Sequence, residues 1–161
     1  MGDHSETIQI DYDPTVLSYE ELLDVFWDSH TPVSRSVSRQ YGSVVFYHDE
    51  EQRNVATSAK ERRETQSGRQ ITTEIVPYSE FWLAEDYHQK YRLRGVDDLM
   101  AEFEATYPDS RQFVDSTAAA RVNGYLGGHG TLTQLQEEIE SLGLSPQGRN
   151  RLEELVRRRI E

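Results

Sequence analysis

Between residues 7 and 76, short apolar runs alternate with stretches that open on helix-start signals, and this alternation limits the fold more than any other feature of the chain. Residues 7–12 alternate strictly, with Ile8, Ile10 and Tyr12 on one face, the pattern of a half-buried strand that Asp13-Pro14 ends. Ser43 to Tyr47 is apolar enough for a central strand, and Ile71 to Val76 reads as a third strand, stopped by Pro77. Ser18 and Glu21 have capping-box spacing, because a serine hydroxyl and a carboxylate three residues on can each satisfy the other's orphan N–H. The helix behind them places Leu22, Leu23, Phe26 and Trp27 on one stripe. Asp49 and Gln52 repeat the signal and open a charged helix to about Glu64, broken at Gln66-Ser67-Gly68. Strands interleaved with helices predict an α+β fold, an αβ sandwich with a mixed sheet and flanking helices. Such a sheet is thin beside helices this polar, and its first strand starts so early that a preceding element reads as absent.

A short helix is expected at 84–91, carrying Tyr87, His88 and Tyr91. Composition changes after about residue 93. A helical stretch at 96–106 leads to Pro108 and a Ser/Ala/Gly-rich passage, 116–130. Two helices close the chain: one near 132–141, the other from Ser145-Pro146, with proline at its first position. The latter carries Leu152, Leu155, Val156 and Ile160 on one side. The expected organisation is a core domain at 1–93 and a helical C-terminal extension at 94–161 packed on it.

Composition excludes several kinds of chemistry. The 161 residues hold no cysteine, which leaves no disulfide, no thiolate-bound zinc and no redox thiol. The formal net charge of -12 disfavours nucleic acid and anionic membrane surfaces as partners. No stretch is apolar and long enough to span a bilayer and no apolar leader follows Met1, so the expected location is the cytoplasm. The only lysines are Lys60 and Lys90. Such a surface suits high salt, where counterions screen self-repulsion, or reflects a GC-rich genome; both readings stay open.

Among the five histidines, His4, His30, His48, His88 and His129, no pair has metal-ligand spacing, so neither a metal nor any other cofactor is expected. Gly124 to Gly130 follows no strand signal and reads as a turn, not a phosphate cradle. The segments around Glu6, Tyr41 and Phe81-Trp82 offer a carboxylate, a phenol and aromatic rings for one end of the sheet. Glu6 against an apolar wall would serve as a proton donor. On patterning alone, a solvated Glu6 and core-packed aromatics are the simpler reading.

These segments also resemble a known family. Gly2-Asp3-His4-Ser5-Glu6, Ile10-Asp11-Tyr12-Asp13-Pro14, Ser18-Tyr19-Glu20-Glu21-Leu22-Leu23, Phe26-Trp27, Ser29-His30 and Arg39-Gln40-Tyr41-Gly42-Ser43 are similar to peptide methionine sulfoxide reductase A. Ile71-Thr72-Thr73-Glu74-Ile75-Val76-Pro77 and Ala84-Glu85-Asp86-Tyr87-His88-Gln89-Lys90-Tyr91 extend the likeness, which in order and spacing covers residues 2–93. Residues 94–161 resemble an extension of longer members, chiefly through Ala118-Ala119-Ala120-Arg121 and Asn123-Gly124-Tyr125.

The resemblance implies a cysteine in a Gly-Cys-Phe-Trp motif that attacks the sulfoxide sulfur and becomes a sulfenic acid. A second thiol then resolves it, and thioredoxin recycles the enzyme. Residue by residue, the resemblance maps Glu6 onto the proton-donating glutamate and Tyr41 onto an oxygen-binding tyrosine. Ser36 stands where the family has an aspartate. The nucleophile helix, its aromatic pair and another tyrosine lie upstream in the family, so a truncated chain that is inactive alone is the expectation. A split reductase completed by a separate cysteine-bearing segment is one alternative; a binding or interaction module is another. Pairing through an exposed sheet edge near Thr7–Tyr12, with that segment or with a second copy, is expected. Thioredoxin is not expected as a partner without a cysteine.

Overall fold

A computed structural model describes residues 5–31 and 39–160. The chain forms two compact units, Met1–Phe81 and Trp82–Glu161. The second is mostly helical, and the first carries two helices and a small sheet, so the fold is mixed α and β.

In the first unit, α1 (Tyr19–Asp28) begins at the capping box the spacing predicts: Glu21 N–H donates to Ser18 Oγ, and the Glu21 carboxylate accepts from Ser18 N–H. Leu23 and Trp27 are buried on its inner stripe, with Leu22 and Phe26 half-buried beside them. A 3-10 turn (Arg39–Tyr41) precedes β1 (Val44–Tyr47). α2 (Glu50–Ser67) starts at Asp49, whose side chain accepts from Gln52 N–H, and ends at Gly68 with φ 64°, a left-handed position that glycine takes without Cβ strain. β2 (Glu74–Pro77) then pairs parallel to β1, with Val44 opposite Glu74 and Val45 opposite Ile75. A parallel pair needs a crossover element, and α2 is that element. It lies on both strands and on α1, and its small residues Ala56 and Ala59 allow the close approach. The core here is Leu23, Trp27, Val45, Ala56, Ala59 and Ile71.

The expected first strand, 7–12, is not a strand. Ile8 is 82% and Ile10 53% exposed. Alternation favours a strand only when one face is covered and a neighbour completes the ladder, and no described element does either. The segment instead hangs between two fixed points. Glu6 N–H donates to Gln40 O at 2.9 Å, and a turn at Asp13 closes when its carboxylate accepts from Thr15 N–H and Oγ1. Those bonds favour the charged form and hold the Asp13 carboxyl below its ordinary value. Among the described residues the sheet is therefore the two-stranded parallel pair β1–β2, so the exposed sheet edge expected at Thr7–Tyr12 is not an edge of it.

The second unit is helical throughout its described residues. A 3-10 turn (Asp86–His88) and α3 (Tyr91–Arg94) replace the single helix expected at 84–91. They are followed by α4 (Asp97–Thr106), α5 (Ser110–Asp115), α6 (Thr117–Leu126), α7 (Leu132–Glu138), which continues as a 3-10 turn (Ile139–Leu142), and α8 (Pro146–Ile160). α6 occupies much of the passage read as Ser/Ala/Gly-rich and α5 precedes it, each started by a side-chain cap, Asp109 on Gln112 N–H and Ser116 on Ala119 N–H. Leu93, Leu99, Phe103, Val122, Leu135 and Leu152 lie at the centre of a continuous core, with Val156 of α8 also in it. Gly130, at φ +85°, packs so closely on Tyr125 that a Cβ there would sit 2.7 Å from the ring.

Candidate active site

Glu6 and Tyr41 come from distant parts of the chain, and Gln40 joins them. Besides accepting the Glu6 N–H, Gln40 donates from Nε2 to Glu6 Oε1 at 2.9 Å. The carboxylate is thereby tied to the residue next to Tyr41 in the 3-10 turn. Both side chains face solvent, Tyr41 being 64% exposed. Glu6 meets no apolar wall among the described residues. Ser36 and His4 lie outside the described residues.

Behind the turn lies a run of half-buried polar groups that patterning did not single out. His30, past the end of α1, has Nδ1 at 2.8 Å from Phe26 O and Nε2 at 2.8 Å from Ser43 Oγ. Ser43 Oγ is 2.6 Å from Thr73 Oγ1, and Lys60 Nζ donates to Thr73 O at 2.8 Å. Thr73 is 1% exposed. The bonded partners lie up to thirty residues apart along the chain, so no local motif could reveal them. The indole N–H of Trp27 and the hydroxyl of Tyr19 are buried without a hydrogen-bond partner. Burial, and then the neighbouring Tyr12 and Asp49, raise the Tyr19 hydroxyl's pKa.

The other sequence candidates fall elsewhere. His48 packs on Tyr78, ring centroids 4.4 Å apart, in the first unit. Trp82, Tyr87 and Tyr91 belong to the second unit and are exposed there. His129 lines an open cavity of about 430 Å³ with Arg121, Tyr125, Gln134 and Glu137. Gly128 and Gly130 take left-handed conformations, as expected of a turn. Among the described residues no group of His, Asp or Glu could hold a metal ion, and no helix is long and apolar enough to cross a membrane.

The mixed fold, the ordered motifs from Glu6 to Tyr91 and the helical second unit define a class, and comparison with known proteins gives the same one. Residues 1–122 match the family model for peptide methionine sulfoxide reductase, and residues 111–161 match the helical domain of selenoprotein methionine sulfoxide reductase A. The chain belongs to the peptide methionine sulfoxide reductase family.

Among its relatives, a peptide methionine sulfoxide reductase of Drosophila melanogaster is 45% identical over 148 residues, 91% of this chain and 59% of that protein. One from Methanosarcina acetivorans is 48% identical over 95 residues, 55% of this chain and 50% of the relative. One from Sulfolobus acidocaldarius is 39% identical over 120 residues, 66% of this chain and 68% of the relative. The chain spans about half the length of the first two of these relatives.

Proposed function

We propose that this chain supplies the proton donor and an oxygen-binding hydroxyl for reduction of peptide methionine (S)-sulfoxide, Glu6 and Tyr41 respectively, and that the attacking thiol comes from outside these 161 residues. In that reaction a thiolate attacks the sulfoxide sulfur, and the oxygen leaves carrying a proton. The sulfoxide is reduced by two electrons to the thioether, and the thiol, taking up that oxygen, is oxidised by two to a sulfenic acid. A second thiol displaces hydroxide, releases water after protonation and closes a disulfide. Glu6 can supply the proton and Tyr41 a hydrogen bond to the oxygen. Neither can supply electrons, and the chain has no cysteine. The single observation that carries this reading is the Gln40 link, which sets the carboxylate beside the Tyr41 turn.

A partner would reach the chain through residues 7–12. Residues 7–11 are exposed, and Ile8 and Ile10 stand ready for a covering strand from a thiol-bearing segment or a second copy.

The test is an assay on a methionine-(S)-sulfoxide peptide with dithiothreitol. The chain alone should run at the buffer rate. A fusion that places a Gly-Cys-Phe-Trp segment ahead of Gly2 should turn over, and Glu6→Gln in that fusion should slow it by about 10²–10⁴-fold, the usual worth of general acid catalysis. Turnover by the chain alone, or a fusion indifferent to Glu6→Gln, would refute the reading.

A further inference from the structure

We infer that His30 is a positioning residue, whose ring sets the direction of a proton chain that fixes the turn carrying Tyr41. The inference rests on the functional reading above for its consequence, but not for its geometry. A backbone carbonyl only accepts hydrogen bonds, so His30 Nδ1, 2.8 Å from Phe26 O, must carry a proton. In the neutral ring Nε2 is then an acceptor, and Ser43 must donate its hydroxyl proton to it across 2.8 Å. With that proton committed, Thr73 Oγ1, 2.6 Å away, must donate to Ser43 Oγ. One carbonyl at the end of α1 thus dictates every proton as far as the start of β2.

The chain cannot readily break to water, because Thr73 is buried and its own carbonyl is held by Lys60. The ring has little freedom to turn. Phe26 lies 4.6 Å from it and Trp27 stacks at 6.4 Å, centroid to centroid. Ser43 is further fixed through its carbonyl, which accepts Glu74 N–H at 3.1 Å where the β ladder begins.

The consequence falls on Tyr41. The stretch from Gln40 to Ser43 is tethered at both ends, to Glu6 by Gln40 and to His30 and Thr73 by Ser43. Tyr41 lies between the tethers, and an exposed phenol has no packing of its own to hold it. The proton chain supplies that order and keeps the phenol and the carboxylate in register.

The experiment uses the full chain, with Ser43→Ala as the conservative break and Ser43→Thr as the variant that keeps the hydroxyl. Nitrogen NMR of His30 should show the Nδ1–H tautomer. The Glu6 amide, whose proton goes to Gln40 O, should exchange with solvent roughly two- to tenfold faster in Ser43→Ala, the net worth of one hydrogen bond. Ser43→Thr should restore it. The Tyr78 amide, bonded to Tyr47 O at the far end of the ladder, should not change; a merely structural loosening would move both. An Nε2–H tautomer, or Glu6 exchange indifferent to Ser43→Ala, would overturn the assignment. In the cysteine-bearing fusion the same substitution should lower kcat several-fold with little change in KM. A fusion without turnover would defeat the reductase reading, while the tautomer and exchange results would still decide the role of His30.

Discussion

The two units of this chain reach order by different means. The second buries long aliphatic and aromatic side chains from all its larger helices around one continuous core, from Leu93 to Val156. The first has a smaller core, in which alanines stand where a helix must lie close to two short strands, and much of its remaining order is polar: the His30–Ser43–Thr73 run, the Gln40–Glu6 link and ion pairs from Arg62 and Arg63 to Glu20, Asp24 and Asp28. Those ion pairs are largely exposed, and each is worth little. The unit with the candidate site is the one with less apolar stabilisation, and its large exposed aliphatics, Ile8, Ile10, Val16 and Val25, show where cover is lacking. Binding sites are commonly drawn from the less stable part of a molecule.

The sharpest way to break this comparison is to remove one core side chain from each unit. Trp27 is 2% exposed and Trp82 67%, so the change in tryptophan fluorescence on unfolding reports mainly the first unit, and far-ultraviolet dichroism is weighted toward the helical second. Trp27→Ala should cost about 3–5 kcal/mol and Leu152→Ala about 2–5 kcal/mol. Trp27→Ala should remove hydrogen-exchange protection of the Tyr78 amide, bonded to Tyr47 O in the first unit, while a helical transition persists in urea. Leu152→Ala should lower the helical transition and leave the Trp27 signal in place. Joint loss in either variant would show a single cooperative body.

A smaller effect sharpens the account of the second unit. Gly130→Ala puts a methyl group 2.7 Å from the Tyr125 ring in a left-handed conformation. It should cost about 1–3 kcal/mol by overpacking and strain, visible in the helical transition alone.

The smallest effect separates the units by pH. Both contain a capping box, but Ser18 is paired with Glu21 and Thr131 with Gln134. Bonds from Ser18 hold the Glu21 carboxyl below its ordinary value of 4.5. A carboxyl depressed in the folded state contributes stability that is present above the unfolded value and lost as pH falls through the folded one. The first transition should therefore weaken slightly below pH 4.5 by this route, and Glu21→Gln should flatten that part of the dependence. The Thr131 box does not titrate, so the second transition should show no such contribution.

Local signals were legible where a side chain meets its own backbone. The caps at Ser18 and Asp49, the stop at Gly68 and the stripe of α1 are where spacing put them, whereas the strand expected at 71–76 starts only at Glu74 and takes in Pro77. Alternation at 7–12 misled because it records which face could be buried, not whether anything covers it. The helix at 117–126 escaped because small residues carry no periodic apolar signal, and α5 because its six residues are too few to show a period, although Asp109 and Ser116 were caps in plain view. Glu6 and Tyr41 were reached through a family likeness. Gln40, Ser43 and Thr73 appeared in that likeness without roles, since side chains that meet across thirty residues leave no spacing to read.

The parallel pairing of β1 and β2 also sets the order of events as the chain acquires its structure. Val44 meets Glu74 only once all of α2 lies between them, so the sheet cannot begin as a hairpin and must wait for a closure that local contacts do not reward. The helical unit has distant closures of its own, of α3 on α6 and of α4 on α8. Until α2 has brought β1 and β2 together, Val45 and Ile75 stay open to association with other unfolded chains.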